Sequence, residues 1–122
     1  MKGSCACGAI TFTVSGPPQG ASCCHCSQCR KMSGHVWASA FVPETGIAVD
    51  GPVKWVSLTE QARRGICPDC GAFLFWKAHD EDTMSFALGA VDGPTGLHLE
   101  KHIFTATKGD YYTLSDGLPQ RD

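Results

Sequence analysis

Four absences narrow the reading of this 122-residue chain. No stretch approaches the ~20 consecutive apolar residues of a membrane helix, so no membrane partner is expected. Neither charge sign dominates. Ten basic residues face twelve acidic ones, for a net charge of −2. The densest basic spots are Arg30-Lys31 and Arg63-Arg64, whereas a nucleic-acid binder would show a basic stripe. No nucleic-acid partner is expected, and Arg63-Arg64 reads as a solvated face. The amino terminus also lacks an apolar signal region, because Met1-Lys2-Gly3-Ser4 runs straight into Cys5. A cytoplasmic location is the expectation. Finally, no cysteine lies outside three short groups, and none follows Cys70.

What remains suits one small domain spanning residues 1–122. Hydrophobic residues make up 43% of the chain, enough for a core, and 14 glycines with 7 prolines announce many turns. At this size a structural metal would help the fold stand. Short alternating or β-branched runs recur at 9–14, 36–42, 47–49, 53–58, 72–76, 84–89 and 102–104, punctuated by Gly and Pro. This pattern predicts a mainly all-β domain. The one helix signal covers 27–33, with Ser27 as N-cap and Gly34 as stop. The tail from Leu114 to Asp122 is polar and is expected on the surface.

The eight cysteines carry the chemistry. Their groups are Cys5-Ala-Cys7-Gly, Cys23-Cys24-His25-Cys26-Ser-Gln-Cys29 and Cys67-Pro-Asp-Cys70-Gly. Thiols one to three residues apart converge on a metal more readily than they form disulfides, above all in a reducing compartment. The first and third groups are knuckle-like pairs with a trailing glycine. Each offers two ligands and zinc wants four, so Cys5, Cys7, Cys67 and Cys70 are read as one closed, structural zinc site. In the middle group, Cys24 and Cys26 point to one face of an extended segment, and Cys29 folds back from the helix's first turn. Cys23 points the other way. Three ligands plus one exchangeable position is the form of a catalytic or ligand-binding zinc. The alternative is a second closed site in which Cys23 or His25 supplies the fourth ligand.

An open zinc with three thiolates is a weak Lewis acid, better suited to holding an incoming thiol as thiolate than to activating water. A thiolate held there could attack an aldehyde and give a hemithioacetal. His25, Arg30, Lys31 and His35 lie close in sequence and are candidates for offsetting negative charge or holding a substrate carboxylate.

The order of motifs, Cys5-Ala6-Cys7-Gly8, then Cys24-His25-Cys26-Ser27-Gln28-Cys29-Arg30-Lys31-Met32-Ser33-Gly34, then Cys67-Pro68-Asp69-Cys70-Gly71, resembles the glutathione-dependent formaldehyde-activating enzyme family, whose domain is shared with centromere protein V. Asp116-Gly117-Leu118-Pro119 resembles the family's closing segment. The resemblance implies a β-tent of small antiparallel sheets pinned by zinc. It implies two ions, one structural on Cys5, Cys7, Cys67 and Cys70, and one open or labile on Cys24, Cys26 and Cys29. It also implies a carbon–sulfur lyase that joins glutathione and formaldehyde into S-(hydroxymethyl)glutathione, with Cys24, Cys26 and Cys29 at the reacting centre. Arg30 and Lys31, by their closeness in sequence to these cysteines, are the residues expected to bind the ligand.

Other readings predict different behaviour. A zinc-stabilised thiol-binding or protein-interaction module would bind without turnover. A methionine sulfoxide reductase would need a redox cysteine away from the structural zinc, and no residue after Cys70 can serve. Trp37, Trp55, Trp76, Phe73 and Phe75 are pocket candidates, although large apolar side chains are usually core.

Overall fold

Short β-prone runs broken by Gly and Pro become ten strands, and a single helical turn signal becomes one helix. The computed structural model describes residues 1–122. In chain order the elements are β1 (Lys2–Ser4), β2 (Thr11–Val14), β3 (Gln19–Cys24), α1 (Ser27–Ser33), β4 (Trp37–Pro43), β5 (Ile47–Asp50), β6 (Lys54–Val56), β7 (Ala62–Ile66), β8 (Phe73–Ala78), β9 (Thr83–Ala87) and β10 (Lys101–Ile103). Single 3₁₀ turns occupy Glu44–Gly46, Leu88–Ala90 and Thr105–Thr107. No helix is long and apolar enough to cross a membrane.

The strands form two sheets, one of order β1-β2-β5 and one of order β10-β3-β4-β9-β8-β7-β6. The mainly all-β expectation holds, with one helix and sheets of three and seven short strands. The larger sheet has one parallel pairing, β10 on β3. Parallel neighbours need a long crossover. Here the chain between them runs through six intervening strands before residues 88–100 bring it back beside β3.

Alternation explains the core. In β2, Phe12 and Val14 are buried while Thr11 and Thr13 are exposed, which is the two-residue period of a strand with one dry face. Phe12 meets Phe75 of the large sheet edge-on, with ring centroids 5.2 Å apart. Ile10, Val42, Leu74, Phe75 and Phe86 complete this core between the sheets. Burying each such side chain stabilises by about 1.5–3 kcal/mol. Gly3 faces Phe12, and a Cβ there would lie 2.2 Å from the ring, so the opposing strand must carry no side chain.

The helix spans the expected residues, with one correction at its start. Cys26, not Ser27, is the N-cap, and its Sγ accepts the Cys29 N–H at 3.3 Å. Gly34 ends it as expected, at φ 86° with its N–H on the Arg30 carbonyl.

Candidate functional site

Two turns distant in sequence bring the first and third cysteine groups together. Cys5 and Cys7 sit in the β1–β2 turn, Cys67 and Cys70 in the β7–β8 turn. All four sulfurs lie within 4.8 Å of one another. Cys5 and Cys7 are 3.6 Å apart, Cys7 and Cys67 3.7 Å. Four thiolates at about 2.3 Å from a zinc ion stand at tetrahedron edges of about 3.8 Å, so the donor set fits that metal in kind and spacing. Backbone amides also reach the sulfurs. The Ile10 N–H donates to Cys5 at 3.2 Å and the Cys70 N–H to Cys67 at 3.5 Å. Amides of Ala72 and Cys7 hold the Cys70 thiol low, at about 6. Gly8 and Gly71, both at φ 80°, make the turns that aim these amides.

The second group assembles from the end of β3 and the start of α1. The sulfurs of Cys24, Cys26 and Cys29 also lie within 4.8 Å of one another. A hydrogen bond with Cys29 pulls the Cys24 thiol down to about 6, with help from the Arg64 charge and against burial. Cys29 is pushed up correspondingly, by that hydrogen bond and by burial. The set thus favours sharing a thiolate, the form a metal takes. Cys23 stands outside the group. It pairs with Ala38 and His102 in the sheet. His25 stands outside too, since its ring nitrogens engage Tyr112 and His102. No fourth side-chain ligand joins the three sulfurs.

These sulfurs open into a cavity of about 530 Å³ on the face of the large sheet opposite the core. Its floor is built by alternate residues of neighbouring strands. They are Ser22 and Cys24 from β3, Trp37, Ser39 and Phe41 from β4, Ser85 from β9, Trp76 from β8, Arg64 from β7, and Lys101 and Ile103 from β10. Register aligns them in rows, with Arg64 opposite Trp76, Trp76 opposite Ser85 and Ser85 opposite Phe41. Gln28 of α1 and Phe104 complete the walls. No carboxylate lines the cavity.

The aromatic candidates divide. Trp37 and Trp76 line the cavity. Trp37 is fixed by its indole N–H on the Phe73 carbonyl, 3.1 Å, and by stacking on the Phe73 ring at 4.0 Å. Phe73 and Phe75 are core, and Trp55 is partly exposed under the Arg63 guanidinium. Arg30 is half-buried and Lys31 exposed, and neither lines the cavity. His35 is exposed and bonded to the Tyr111 hydroxyl at 2.7 Å.

The Arg63-Arg64 pair departs from the solvated-face reading. Strand alternation turns the two residues to opposite faces. Arg63 faces Glu44 and Trp55, whereas Arg64 is buried, 3% exposed, in the cavity wall. Phe41 and Phe104 were also not singled out from sequence, and a lone aromatic at the end of a β run gives no signal of which face it takes.

The sequence profile of the glutathione-dependent formaldehyde-activating enzyme family matches residues 1–107. The chain belongs to that family. The match includes all eight cysteines and every cavity residue, through Thr107. No curated protein matches the sequence. Among solved structures, a crystallised protein from Rhodobacter sphaeroides is similar, with 22% identity and a TM-score of 0.63 over 79% of this chain and 92% of the other. At that identity the likeness concerns the fold, and it places this family member's strands within a known arrangement.

Proposed function

We propose that the chain binds a thiol, glutathione or a relative of it, at a zinc ion held by Cys24, Cys26 and Cys29, and adds it to an aldehyde such as formaldehyde. The observation that carries this reading is the convergence of three sulfurs, with no fourth side-chain ligand, on the wall of a cavity. Family membership supports the same chemistry. Zinc bound there supplies a soft Lewis acid that favours the deprotonated form of a thiol. In the addition, sulfur bonds to the carbonyl carbon and the thiol proton ends on the carbonyl oxygen. The chain's own contribution is placement and environment. Cys24, Cys26 and Cys29 fix the metal. Trp37, Trp76 and Ile103 give the cavity apolar walls. Arg64 and Lys101 offset negative charge there.

A second ion on Cys5, Cys7, Cys67 and Cys70 is assigned a structural role, because four protein sulfurs leave no position for a substrate. All eight cysteines are free thiols, which suits a reducing compartment such as the cytoplasm.

Calorimetry of the zinc-loaded protein with glutathione, followed by NMR of formaldehyde consumption, tests the reading. Saturable binding and a rate above the spontaneous reaction are expected. Binding without turnover would make the protein a thiol-binding module, and absence of both would remove the reading altogether.

A further inference from the structure

Arg64 is a buried guanidinium with an incomplete set of partners. Its Nη2 donates to the Gln28 Oε1 at 2.5 Å. Its Nε and Nη1 are buried and have no hydrogen-bond partner in the protein. No carboxylate lies within ion-pairing distance of it, since the ion pairs of the chain are Arg63–Glu44, Lys77–Glu44 and His102–Asp116. Arginine is almost never deprotonated and is costly to bury unpaired. A guanidinium presents parallel N–H groups that match a carboxylate two for two. The neutral amide of Gln28 satisfies only one of them.

We propose that Arg64 is the anchor for a carboxylate on the ligand, so that the cavity selects thiols bearing a carboxylate. Gln28 is the resting partner that the carboxylate displaces. It is half-buried on the first turn of α1, one residue before Cys29, and its side chain is the movable cover of the anchor. This position places the anchor beside the three sulfurs, within reach of a thiol whose carboxylate is a few bonds away. Lys101, on β10 at the far side of the same cavity, adds a second positive charge, and no acidic side chain in the lining opposes it. The proposal rests on the thiol-binding reading for the ligand's other end.

An alternative role for Arg64, offsetting the thiolates alone, makes a different prediction. It would alter metal retention but would not distinguish one thiol from another of the same size. The test compares 3-mercaptopropionate, 3-mercaptopropanol and propionate by calorimetry on the zinc-loaded protein, with metal content measured in each sample. The carboxylate thiol is expected to bind about tenfold or more tightly than the alcohol, the range of a charge-assisted hydrogen-bonded pair. Arg64→Gln should erase that preference, bringing the two thiols to equal affinity, with both lowered together by loss of the charge that offsets the thiolates. Arg64→Lys should keep part of it, because charge is retained and the planar fork is lost. Gln28→Ala, which uncovers the anchor, should keep or increase it. Equal binding of the two thiols to the unmodified protein overturns the anchor while leaving thiol binding intact, and that comparison needs no variant. A preference that survives Arg64→Gln, or that vanishes in Gln28→Ala, overturns the assignment to Arg64. If neither thiol binds, the thiol reading fails. Arg64-dependent propionate binding would then support the anchor, and its absence would overturn it as well.

Discussion

His25 and His102 lie 77 positions apart, and their rings meet with Nε2 of the first 2.9 Å from Nδ1 of the second. The contact belongs to a chain of four side chains. The Asp116 carboxylate takes the His102 Nε2–H at 2.8 Å. That leaves His102 Nδ1 to accept from the His25 Nε2–H, and His25 Nδ1 to accept from the Tyr112 hydroxyl. Every proton in this assignment points toward Asp116. Burial, and then the nearby His102, push the His25 imidazole below its usual range, in keeping with a neutral ring. The chain ties the segment carrying Cys24 and Cys26 to β10 and to the carboxy-terminal tail.

Breaking this tie should loosen the loop as well as the tail. His102→Ala leaves the buried His25 donor without its acceptor and should cost about 1–3 kcal/mol. Thermal unfolding measures the cost. Amide exchange across residues 22–29 and 116–121 should rise together, and a rise confined to the tail would show that the histidine contact does not hold the loop.

The Asp116 contact should respond to acid with a definite sign. A hydrogen bond from His102, then one from the Leu118 amide, lowers the Asp116 carboxyl below its ordinary 3.8. The unfolded chain therefore takes up this proton first. The contact stabilises the fold above pH 3.8 and is lost as pH falls through the lowered folded value. The gap in unfolding midpoint between the unmodified protein and Asp116→Asn should stay constant from neutral pH down to that region and then close. A gap that closes near neutrality would point to a histidine instead.

The two cysteine groups should part under substitution. Cys67→Ser, at a residue with no exposure, removes a ligand from the group that joins the β1–β2 turn to the β7–β8 turn. Metal sites of this kind contribute folding energy directly. Loss of one ion per chain and a fall in melting temperature of about 10 °C or more are expected. Cys26→Ser should also lose one ion, together with thiol binding, but should shift the melt by only a few degrees. Elemental analysis and scanning calorimetry on both variants decide it. Equal destabilisation would make both sites structural.

Gly20 sets the shape of the cavity. It holds φ 67°, and an added Cβ would lie 2.4 Å from the Phe41 ring. Gly20→Ala should destabilise by about 1–2 kcal/mol and displace Phe41 from the cavity wall, weakening thiol binding. Gly16, at φ 81° with nothing near the added carbon, is the control. Gly16→Ala should carry the backbone cost alone and leave binding unchanged. Chemical denaturation and calorimetry on the pair separate strain from crowding.

How much could be read in advance depended on which residues carried the signal. The grouping of Cys5 and Cys7 with Cys67 and Cys70, and of Cys24 with Cys26 and Cys29, was legible because ligand spacing encodes geometry within a turn. The exclusion of Cys23 followed from strand alternation. The start of β3, Gln-Gly-Ala-Ser, was not legible, because it has no β-branched or aromatic residue and is held by neighbours on both sides. Strand β7 hid behind its two arginines, since a charge pair looks the same in sequence whether both side chains face water or one turns inward. The tail was expected on the surface, and its residues are largely exposed. It is nonetheless laced to β10, with the His102 N–H on the Pro119 carbonyl and the Arg121 N–H on the His102 carbonyl, both at 2.9 Å. Backbone pairing of that kind leaves no mark in side-chain chemistry.

The unequal reach of the two cysteine groups also sets an order of events as the chain is made. Cys24, Cys26 and Cys29 can meet by closing a few residues, so their sulfurs are ready to capture an ion soon after they emerge. Cys5 and Cys7 must wait for Cys67, 60 residues after Cys7. Closing so long a loop is slow and entropically costly until other contacts reward it. The site proposed as exchangeable would therefore compete for metal before the one proposed to hold the fold exists. A chain synthesised under metal shortage would then stall with its middle cysteines loaded and its ends apart.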